Sequence, residues 1–254
     1  MVTHFFYFCT ILTTRIMYPA DDLSPDITRE LIAYLQQFVT EERFLKFREA
    51  LRFRTRHLTI ALEDIFQSHN ASAVLRTCDC FGIQNVHIIE NRNKYEVNAD
   101  VALGASKWLD LIRYNGTGNN TVACLTGLKR QGYRIVATTP HKEGFTPESM
   151  PLDQKTVLVF GTELAGLTPL ALELADDYIW IPMVGFTESL NISVSAAIFI
   201  QTLTNRLRSS EIDWRLPEFE KDTVLLSWLR QSIKESDKIT REFLGKSQIV
   251  NPKS

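Results

Sequence analysis

Three short segments of the chain carry the side chains best suited to chemistry, and each begins where a buried strand should end. The clearest is residues 181–198, in which Glu188, Ser189 and Asn191 lie between an apolar run and the small residues that open a helix. In proteins with parallel sheets, ligands bind at the carboxyl ends of the strands, where such loops collect. A simple helix cap explains Ser189 or Asn191, but hardly the pair together with Gly185. The segment therefore predicts a ligand site, although it does not identify a reaction.

The second segment runs from Phe160 to Pro169 and reads Phe-Gly-Thr-Glu-Leu-Ala-Gly-Leu-Thr-Pro. Its two glycines allow a sharp turn or a close approach of the backbone to a ligand, and Glu163 lies between them. The chain has neither a Gly-Lys-Ser/Thr phosphate loop nor a Gly-x-Gly-x-x-Gly fingerprint. Nucleoside triphosphate and NAD chemistry are therefore disfavoured. Taken alone, Glu163 is more often an exposed loop acid than a site residue.

The third segment contains Asn70, Arg76 and Asp79, at the start of a helix predicted over residues 70–81. Asn70 is suited to capping that helix through its side-chain oxygen. The plain structural interpretation pairs Arg76 with Asp79, three residues later on the same side of the helix. The functional alternative leaves Arg76 available for a substrate, and the spacing alone does not decide between the two.

Composition limits the partners and the compartment. The chain has 254 residues, of which 44% are hydrophobic, and its formal net charge of −2 gives no general sign of a polyanion partner. A local basic surface is nevertheless predicted on a helix over residues 41–56, with the basic side chains Arg43, Lys46, Arg48, Arg52, Arg54 and Arg56. The four cysteines form no Cys-x-x-Cys pair. A reduced, cytoplasmic protein without a metal site is therefore expected.

Apolar runs alternate with helical patterns from residue 58 onward. Strands are predicted at 58–62, 85–89, 109–113, 134–138, 156–160 and 178–181, and helices at 70–81, 120–131, 169–175 and 192–208. Continuous apolar strands in such an order are typical of the α/β class, with a mostly parallel sheet covered by helices on both faces. Helices at 26–38 and 41–56 precede the sheet. A helical stretch over 224–243 follows it, and its apolar stripe needs a partner surface.

These patterns divide the chain into four parts. Residues 1–16 are apolar, but they lack the basic start and cleavage site of a signal peptide and are too short to cross a bilayer. Met17 is a more natural start, so residues 1–16 are expected to be a non-native or disordered beginning. Residues 17–57 are predicted to form basic N-terminal helices, residues 58–210 the sheet domain, and residues 211–254 a C-terminal helical tail.

Taken in order, the three segments resemble the motifs of the SpoU (TrmH-type) family of RNA ribose 2'-O-methyltransferases. The matching residues are Asn70 with Arg76, then Phe160-Gly-Thr-Glu-Leu-Ala-Gly-Leu, then Ile181-Pro-Met with Ser189-Leu-Asn-Ile-Ser-Val. The likeness covers residues 41–230. The strings Gly104-Ala-Ser-Lys-Trp108 and Trp228-Leu-Arg are similar to those of the tRNA (guanosine-2'-O)-methyltransferases within the family. One departure is Ser68, where related sequences usually have proline.

The resemblance implies an α/β fold with a C-terminal trefoil knot, and a homodimer whose active site draws on both subunits. It also implies S-adenosylmethionine as the methyl donor, held around Thr138, Gly161, Ile181, Met183 and Leu190. Arg76 is then the catalytic residue that acts on the ribose hydroxyl, and the catalytic site is completed by Asn70, Glu163, Ser189 and Asn191. The residues expected to bind RNA phosphates are Arg43, Lys46, Arg52, Arg54 and Arg56.

The same resemblance implies that the substrate is tRNA, with guanosine 18 in the D-loop as the expected target. Methylation of ribosomal RNA or of another tRNA position is the alternative, which an added N-terminal RNA-binding domain would favour. A catalytically silent RNA-binding dimer is the least favoured, because Arg76, Glu163 and Asn191 are all present. A guanidinium does not normally lose its proton, so Arg76 either needs help from an RNA phosphate or stabilises the alkoxide that forms.

Overall fold

The computed structural model describes residues 23–65, 67–95, 102 and 104–250, so the expected non-native start at residues 1–16 lies outside the described residues. Its centre is a six-stranded sheet in which every strand pairing is parallel. The strands are β1 (Leu58–Glu63), β2 (Asn85–Ile89), β3 (Asp110–Tyr114), β4 (Arg134–Thr138), β5 (Thr156–Phe160) and β6 (Asp177–Ile179). Their order across the sheet is β3-β2-β1-β5-β4-β6. The predicted parallel α/β sheet is confirmed.

Helices cover both faces of this sheet because its strands are apolar on both sides. Helices α3 (Ser68–Cys80) and α6 (Ile192–Arg208) pack on one face, while α4 (Asn120–Arg130) and α5 (Pro169–Leu174) pack on the other. Alternation along β1 shows how the faces are shared, since Ile60 and Leu62 join the first core and Ala61 joins the second. The sheet therefore lies between two buried apolar layers.

The helices at the two ends of the chain share a separate core. It is formed by α1 (Pro25–Leu35), a short 3-10 turn at Gln36–Phe38, α2 (Glu41–Leu51), α7 (Glu218–Ser232) and α8 (Ser236–Val250). Trp228 of α7 contacts Phe47 of α2 with 5.7 Å between ring centroids, and it contacts Trp108 at 6.0 Å. The apolar stripe of the tail thus finds its partner surface on the N-terminal helices of the same chain.

Three of the predicted boundaries of helices and strands are wrong. Helix α2 ends at Leu51 rather than at residue 56, and the residues that follow turn inward towards β1. The tail helix is interrupted because Ile233 is extended and buried and Glu235 adopts a positive φ of 59°. Strand β6 ends at Ile179, and the N–H of the next residue, Trp180, donates to the carbonyl of Phe145. Within the described residues, no helix is long and apolar enough to cross a membrane.

Candidate active site

A cavity of about 440 Å³ opens at the carboxyl ends of β4, β5 and β6, where the loops after these strands meet the start of α6. All five residues expected to hold the donor line it, namely Thr138, Gly161, Ile181, Met183 and Leu190. Glu163 and Ser189 line it as well. Its volume lies within the range of ~300–1,000 Å³ that is usual for small-molecule sites. Residues from three separate parts of the chain therefore form one ligand-sized site.

The loop over residues 161–167 forms one wall of this cavity and is closed on itself. The N–H of Thr162 donates to the carbonyl of Gly166, and the N–H of Gly166 donates to the carbonyl of Thr162, each over 3.0 Å. A Cβ at Gly161 would lie 2.2 Å from the backbone of Gly166, so no side chain fits there. Gly166 has a φ of 66°, which glycine adopts at little cost. The two glycines are thus required by the turn that presents Glu163.

Asn191 joins all three polar segments through one side-chain amide. It is the N-cap of α6, and its Oδ1 accepts the N–H of Ser193 over 2.8 Å. Its Nδ2 donates to Asn70 Oδ1 over 3.2 Å and also to a carboxylate oxygen of Glu163. An amide has both an acceptor and two donors, so a single asparagine can cap a helix and bridge two loops. The capping interpretation of this residue is confirmed, and its functional role stays a prediction.

Asn70 does not cap α3, and that prediction is wrong. Helix α3 begins at Ser68, two residues earlier than expected, and the N-cap position is occupied by Gln67. Asn70 is buried in the first turn, where its Nδ2 donates to Gln67 Oε1 over 2.7 Å. Its oxygen therefore remains available to Asn191.

Arg76 lies outside the cavity, in an open groove of about 440 Å³ between α3 and α6. It is exposed and makes no hydrogen bond or ion pair with any described residue. Asp79 pairs with Arg54 instead, so the interpretation that ties Arg76 to Asp79 is wrong. The first turns of α6 separate the two sites, because Val194 faces the groove while Ser195 lines the cavity. Within one chain, the structure does not bring Arg76 into the cavity.

The five expected RNA-binding residues fall into two groups. Arg43, Lys46 and Arg52 are exposed, and Arg52 pairs with Glu49 at the surface over 3.0 Å. Arg54 and Arg56 face inward instead. Arg54 is only 4% exposed and pairs with Asp79, and Arg56 pairs with Asp110 over 2.7 Å and with Glu220. Carboxylates of the same chain pair with the guanidinium groups of Arg54 and Arg56. The exposed side chains of Arg43, Lys46 and Arg52 are therefore better placed to bind a phosphate.

The cavity residues that were not predicted from the sequence include His141, Lys142 and Trp180. The first two follow β4 closely, and Trp180 directly follows β6, so their position after a strand end is a usable signal. Lys142 extends over the Tyr178 ring, with 4.9 Å from its ammonium to the ring centroid. The mouth of the cavity therefore carries positive charge beside an aromatic surface.

The two buried cysteines are not suited to act as nucleophiles. Burial raises the pKa of the Cys78 and Cys124 thiols well above their ordinary range, so both are protonated at neutral pH. Among the residues that the structure describes, no group of three or more His, Cys, Asp or Glu side chains could hold a metal ion.

The fold and the cavity define an α/β protein with a cavity of small-molecule size beside the carboxyl ends of its strands. A family model described as "SpoU rRNA Methylase family" matches residues 57–201, and the chain belongs to this family. It is similar to the tRNA (guanosine(18)-2'-O)-methyltransferase of Borreliella burgdorferi, with 44% identity over 203 residues, covering 80% of this chain and 91% of that protein. The protein of the same name from Aquifex aeolicus is 31% identical over 209 residues, covering 81% of this chain and 97% of that one.

A solved structure has the same architecture. It is the TrmH/SpoU tRNA modifying enzyme of A. aeolicus, which superimposes with a TM-score of 0.68 at 31% sequence identity. The match covers 77% of this chain and 98% of that chain.

Proposed function

We propose that this protein transfers a methyl group from S-adenosylmethionine to the ribose 2'-hydroxyl of guanosine 18 in the D-loop of tRNA. The observation that carries the proposal is the bridge from Asn191 to Asn70 and Glu163 beside a ligand-sized cavity. The relatives named for this activity support it, since this chain covers 91% and 97% of two of them. The test is transfer of labelled methyl groups to unmodified tRNA and to ribosomal RNA. Labelling of tRNA is expected, and labelling confined to ribosomal RNA would contradict the proposal.

The cavity fits the methyl donor in size and in the chemistry of its walls. Ile181, Leu190 and Phe160 give it apolar surfaces suited to a nucleobase, and Thr138 and Ser189 add hydroxyl groups. S-adenosylmethionine supplies a methyl group on a positively charged sulfur, which an oxygen nucleophile attacks. The backbone around Thr138, Gly161, Ile181, Met183 and Leu190 is proposed to hold it.

The chemistry requires a positioned 2'-oxygen and stabilisation of the negative charge that develops when its proton leaves. An arginine guanidinium is a poor base, so the proposed role of Arg76 is to bind the ribose oxygen and stabilise the alkoxide. Asn70 and Asn191 hold Glu163 in place at the cavity wall. Ser189, on the loop before α6, completes the site from the other side of the cavity.

A homodimer is proposed because Arg76 and the donor cavity are separated within one chain. The α3–α6 groove that holds Arg76 also exposes Val194, which is 46% accessible, next to Ala197 and Ile198. A second copy seated on this groove covers that apolar surface and places Arg76 of the partner subunit at the cavity. The test mixes Arg76→Ala with Asn191→Ala, two variants that are each expected to have low activity. Each mixed dimer contains one intact site, so activity is expected to return after subunit exchange, and its absence in a proven mixed dimer would contradict the shared site.

A trefoil knot in the C-terminal part of the chain is proposed as well. Strand β6 lies at the edge of the sheet, yet α6 returns to its centre, where Phe199 packs 6.0 Å from Phe160. The connection passes the segment after β4, since the N–H of Trp180 donates to the carbonyl of Phe145 over 3.0 Å. Such a path is consistent with threading through a loop. Covalent joining of the two termini tests it, because a knotted ring and a plain ring migrate differently after denaturation.

Binding of tRNA is proposed to use the exposed basic side chains of α2 and the turn after it, Arg43, Lys46 and Arg52. Phosphate contacts of this kind fix the RNA in place without reading its sequence. A cytoplasmic location follows from the proposed substrate, and fractionation of cells tests it.

A further inference from the structure

Glu63, the last residue of β1, is buried at the carboxyl edge of the sheet, and no role proposed above uses it. It is 1% exposed. Thr121 Oγ1 in the first turn of α4 donates to Glu63 Oε1 over 2.6 Å. The N–H of Thr168 donates to Oε2 over 2.9 Å, and its hydroxyl donates to Oε1 over 2.8 Å. Because this carboxylate is buried and its donors are fixed, its hydrogen bonds also fix the positions of those donors.

Thr168 connects this carboxylate to the loop over residues 161–167. It is the N-cap of α5, and its hydroxyl oxygen accepts the N–H of Ala171 over 3.2 Å. A hydroxyl has one proton, so donating it to Glu63 turns a lone pair towards the helix. Glu63 therefore sets both the position and the orientation of the residue at which the loop ends.

The other end of the loop is anchored beside the same carboxylate. Phe160 of β5 pairs in register with Leu62, the residue before Glu63. Between the two anchors the loop is closed by the bonds between Thr162 and Gly166, and it has no room for a side chain at Gly161. A loop this constrained transmits a shift at its end to the cavity wall and to Glu163.

We propose that Glu63 is a positioning residue for the methyl-donor site and acts through Thr168 on the loop over residues 161–167. Glu63 is not among the residues that line the cavity, so its influence on the donor is indirect. The inference rests on the proposed function, because it concerns the same cavity. Its signature is weaker donor binding by a protein that remains folded.

The test measures binding of S-adenosylhomocysteine to the full chain by calorimetry, alongside thermal unfolding. Glu63→Gln keeps the size of the side chain, but it places an NH2 group against one of the groups that donate to the carboxylate in the wild-type protein. Thr168→Val removes the hydroxyl bond on the loop side, and Thr121→Val removes the hydroxyl bond to the same oxygen on the α4 side. Thr168→Ser keeps both bonds and serves as the conservative control.

Glu63→Gln and Thr168→Val are expected to raise the Kd for S-adenosylhomocysteine about tenfold, the effect of one lost hydrogen bond to a charged group. Thr121→Val and Thr168→Ser are expected to bind within about twofold of wild type, even if Thr121→Val unfolds at a lower temperature. If Glu63→Gln fails to fold, the comparison of Thr168→Val with Thr168→Ser decides.

Two results overturn the positioning role while leaving the proposed function intact. One is wild-type affinity in both Glu63→Gln and Thr168→Val. The other is equal weakening by Thr121→Val and Thr168→Val, which shows that the carboxylate supports the core in general. A wild-type protein that binds no S-adenosylhomocysteine would instead refute the proposed function, and the positioning role with it.

Discussion

Arg54, in the turn between α2 and β1, forms an ion pair with Asp79 of α3, and this pair keeps Asp79 away from Arg76. The side chain of Arg54 is 5% exposed and that of Asp79 is 27% exposed. The guanidinium also donates to the carbonyl of Ile83 over 3.1 Å and lies 5.0 Å from the centroid of the Trp228 ring. Arg54 therefore links the terminal helices to the helix that carries Arg76.

Replacement of Arg54 by methionine should destabilise the protein and impair Arg76. Removing one partner of a largely buried pair leaves an uncompensated charge, so the free energy of unfolding should fall by about 3 kcal/mol. Asp79 then becomes free to pair with Arg76 three residues earlier, and methyl transfer per folded molecule should fall. The double variant Arg54→Met/Asp79→Asn should regain stability, measured by urea unfolding, and methyl transfer, measured by an activity assay. No recovery in the double variant would show that the pair does not protect Arg76.

Replacement of Arg76 by alanine should strongly reduce activity without destabilising the fold. Arg76 is exposed and has no partner among the described residues, so the free energy of unfolding should change by no more than about 0.5 kcal/mol. Loss of a group that stabilises the alkoxide should lower kcat by roughly 100-fold or more. Arg130→Ala, an exposed arginine on α4 at the other face of the sheet, is the matched control. Equal kcat values for Arg76→Ala and Arg130→Ala would show that Arg76 does not take part in catalysis.

Asn191 and Glu163 should act as a unit in catalysis. Asn191 donates to Glu163 and to Asn70 through the same amide nitrogen, so losing either end disturbs the other. Asn191→Ala and Glu163→Gln should each lower kcat by about tenfold or more, and the double variant should be little worse than the more damaging single one. Steady-state kinetics of the four proteins give the coupling. Strictly multiplicative effects would indicate two independent contributions.

The strand positions were predictable from the sequence because parallel strands that are buried on both faces are mostly apolar. The runs at 85–89, 134–138 and 156–160 match β2, β4 and β5. The end of α2 was not predictable, because the partners that draw Arg54 and Arg56 inward come from residues 79, 110 and 220. Contacts between residues so far apart along the chain cannot be inferred from the local sequence.

The sequence indicated residues that line the cavity, but only part of their arrangement. The family resemblance assigns Thr138, Gly161 and Ile181 to one donor site, and the structure finds them around one cavity. The bridge from Asn191 to Asn70 joins residues that are 121 positions apart, which no spacing rule indicates. The separation of Arg76 from the cavity was likewise visible only once α6 was placed between them.

Mild acid should weaken the fold through His87 in β2. Burial lowers the pKa of His87 to about 4 from 6.5, and its ring lies 3.3 Å from the hydroxyl of Tyr114. Below about pH 6.5 the unfolded chain takes up a proton at this residue that the folded chain excludes. Stability therefore falls between pH 6.5 and 4 and is unaffected by His87 above that window.

The contribution of His87 between pH 7 and pH 5 should be about 2 kcal/mol, which corresponds to roughly 1.5 pKa units. His87→Phe should lose that part of the pH dependence in urea unfolding, whereas His69→Gln, at an exposed position, should keep it. The same slope in His87→Phe as in wild type would show that the ring takes up its proton normally in the folded state.

The exposed basic residues of α2 should control salt-sensitive tRNA binding. Arg43→Gln and Lys46→Gln should each weaken binding for all tRNA sequences alike. Each should also reduce the magnitude of the slope of log binding constant against log salt concentration by about one. Arg130→Gln is the control, since it removes an exposed arginine from α4. An unchanged slope in the α2 variants would place the phosphate contacts elsewhere.

The most direct test of the proposed function maps 2'-O-methylation on an unmodified tRNA transcript incubated with the purified protein and S-adenosylmethionine. Mass spectrometry of nuclease fragments should find one methylated ribose, at guanosine 18, with wild-type protein and none with Arg76→Ala. Methylation at another position, or equal methylation by the two proteins, would contradict the assignment.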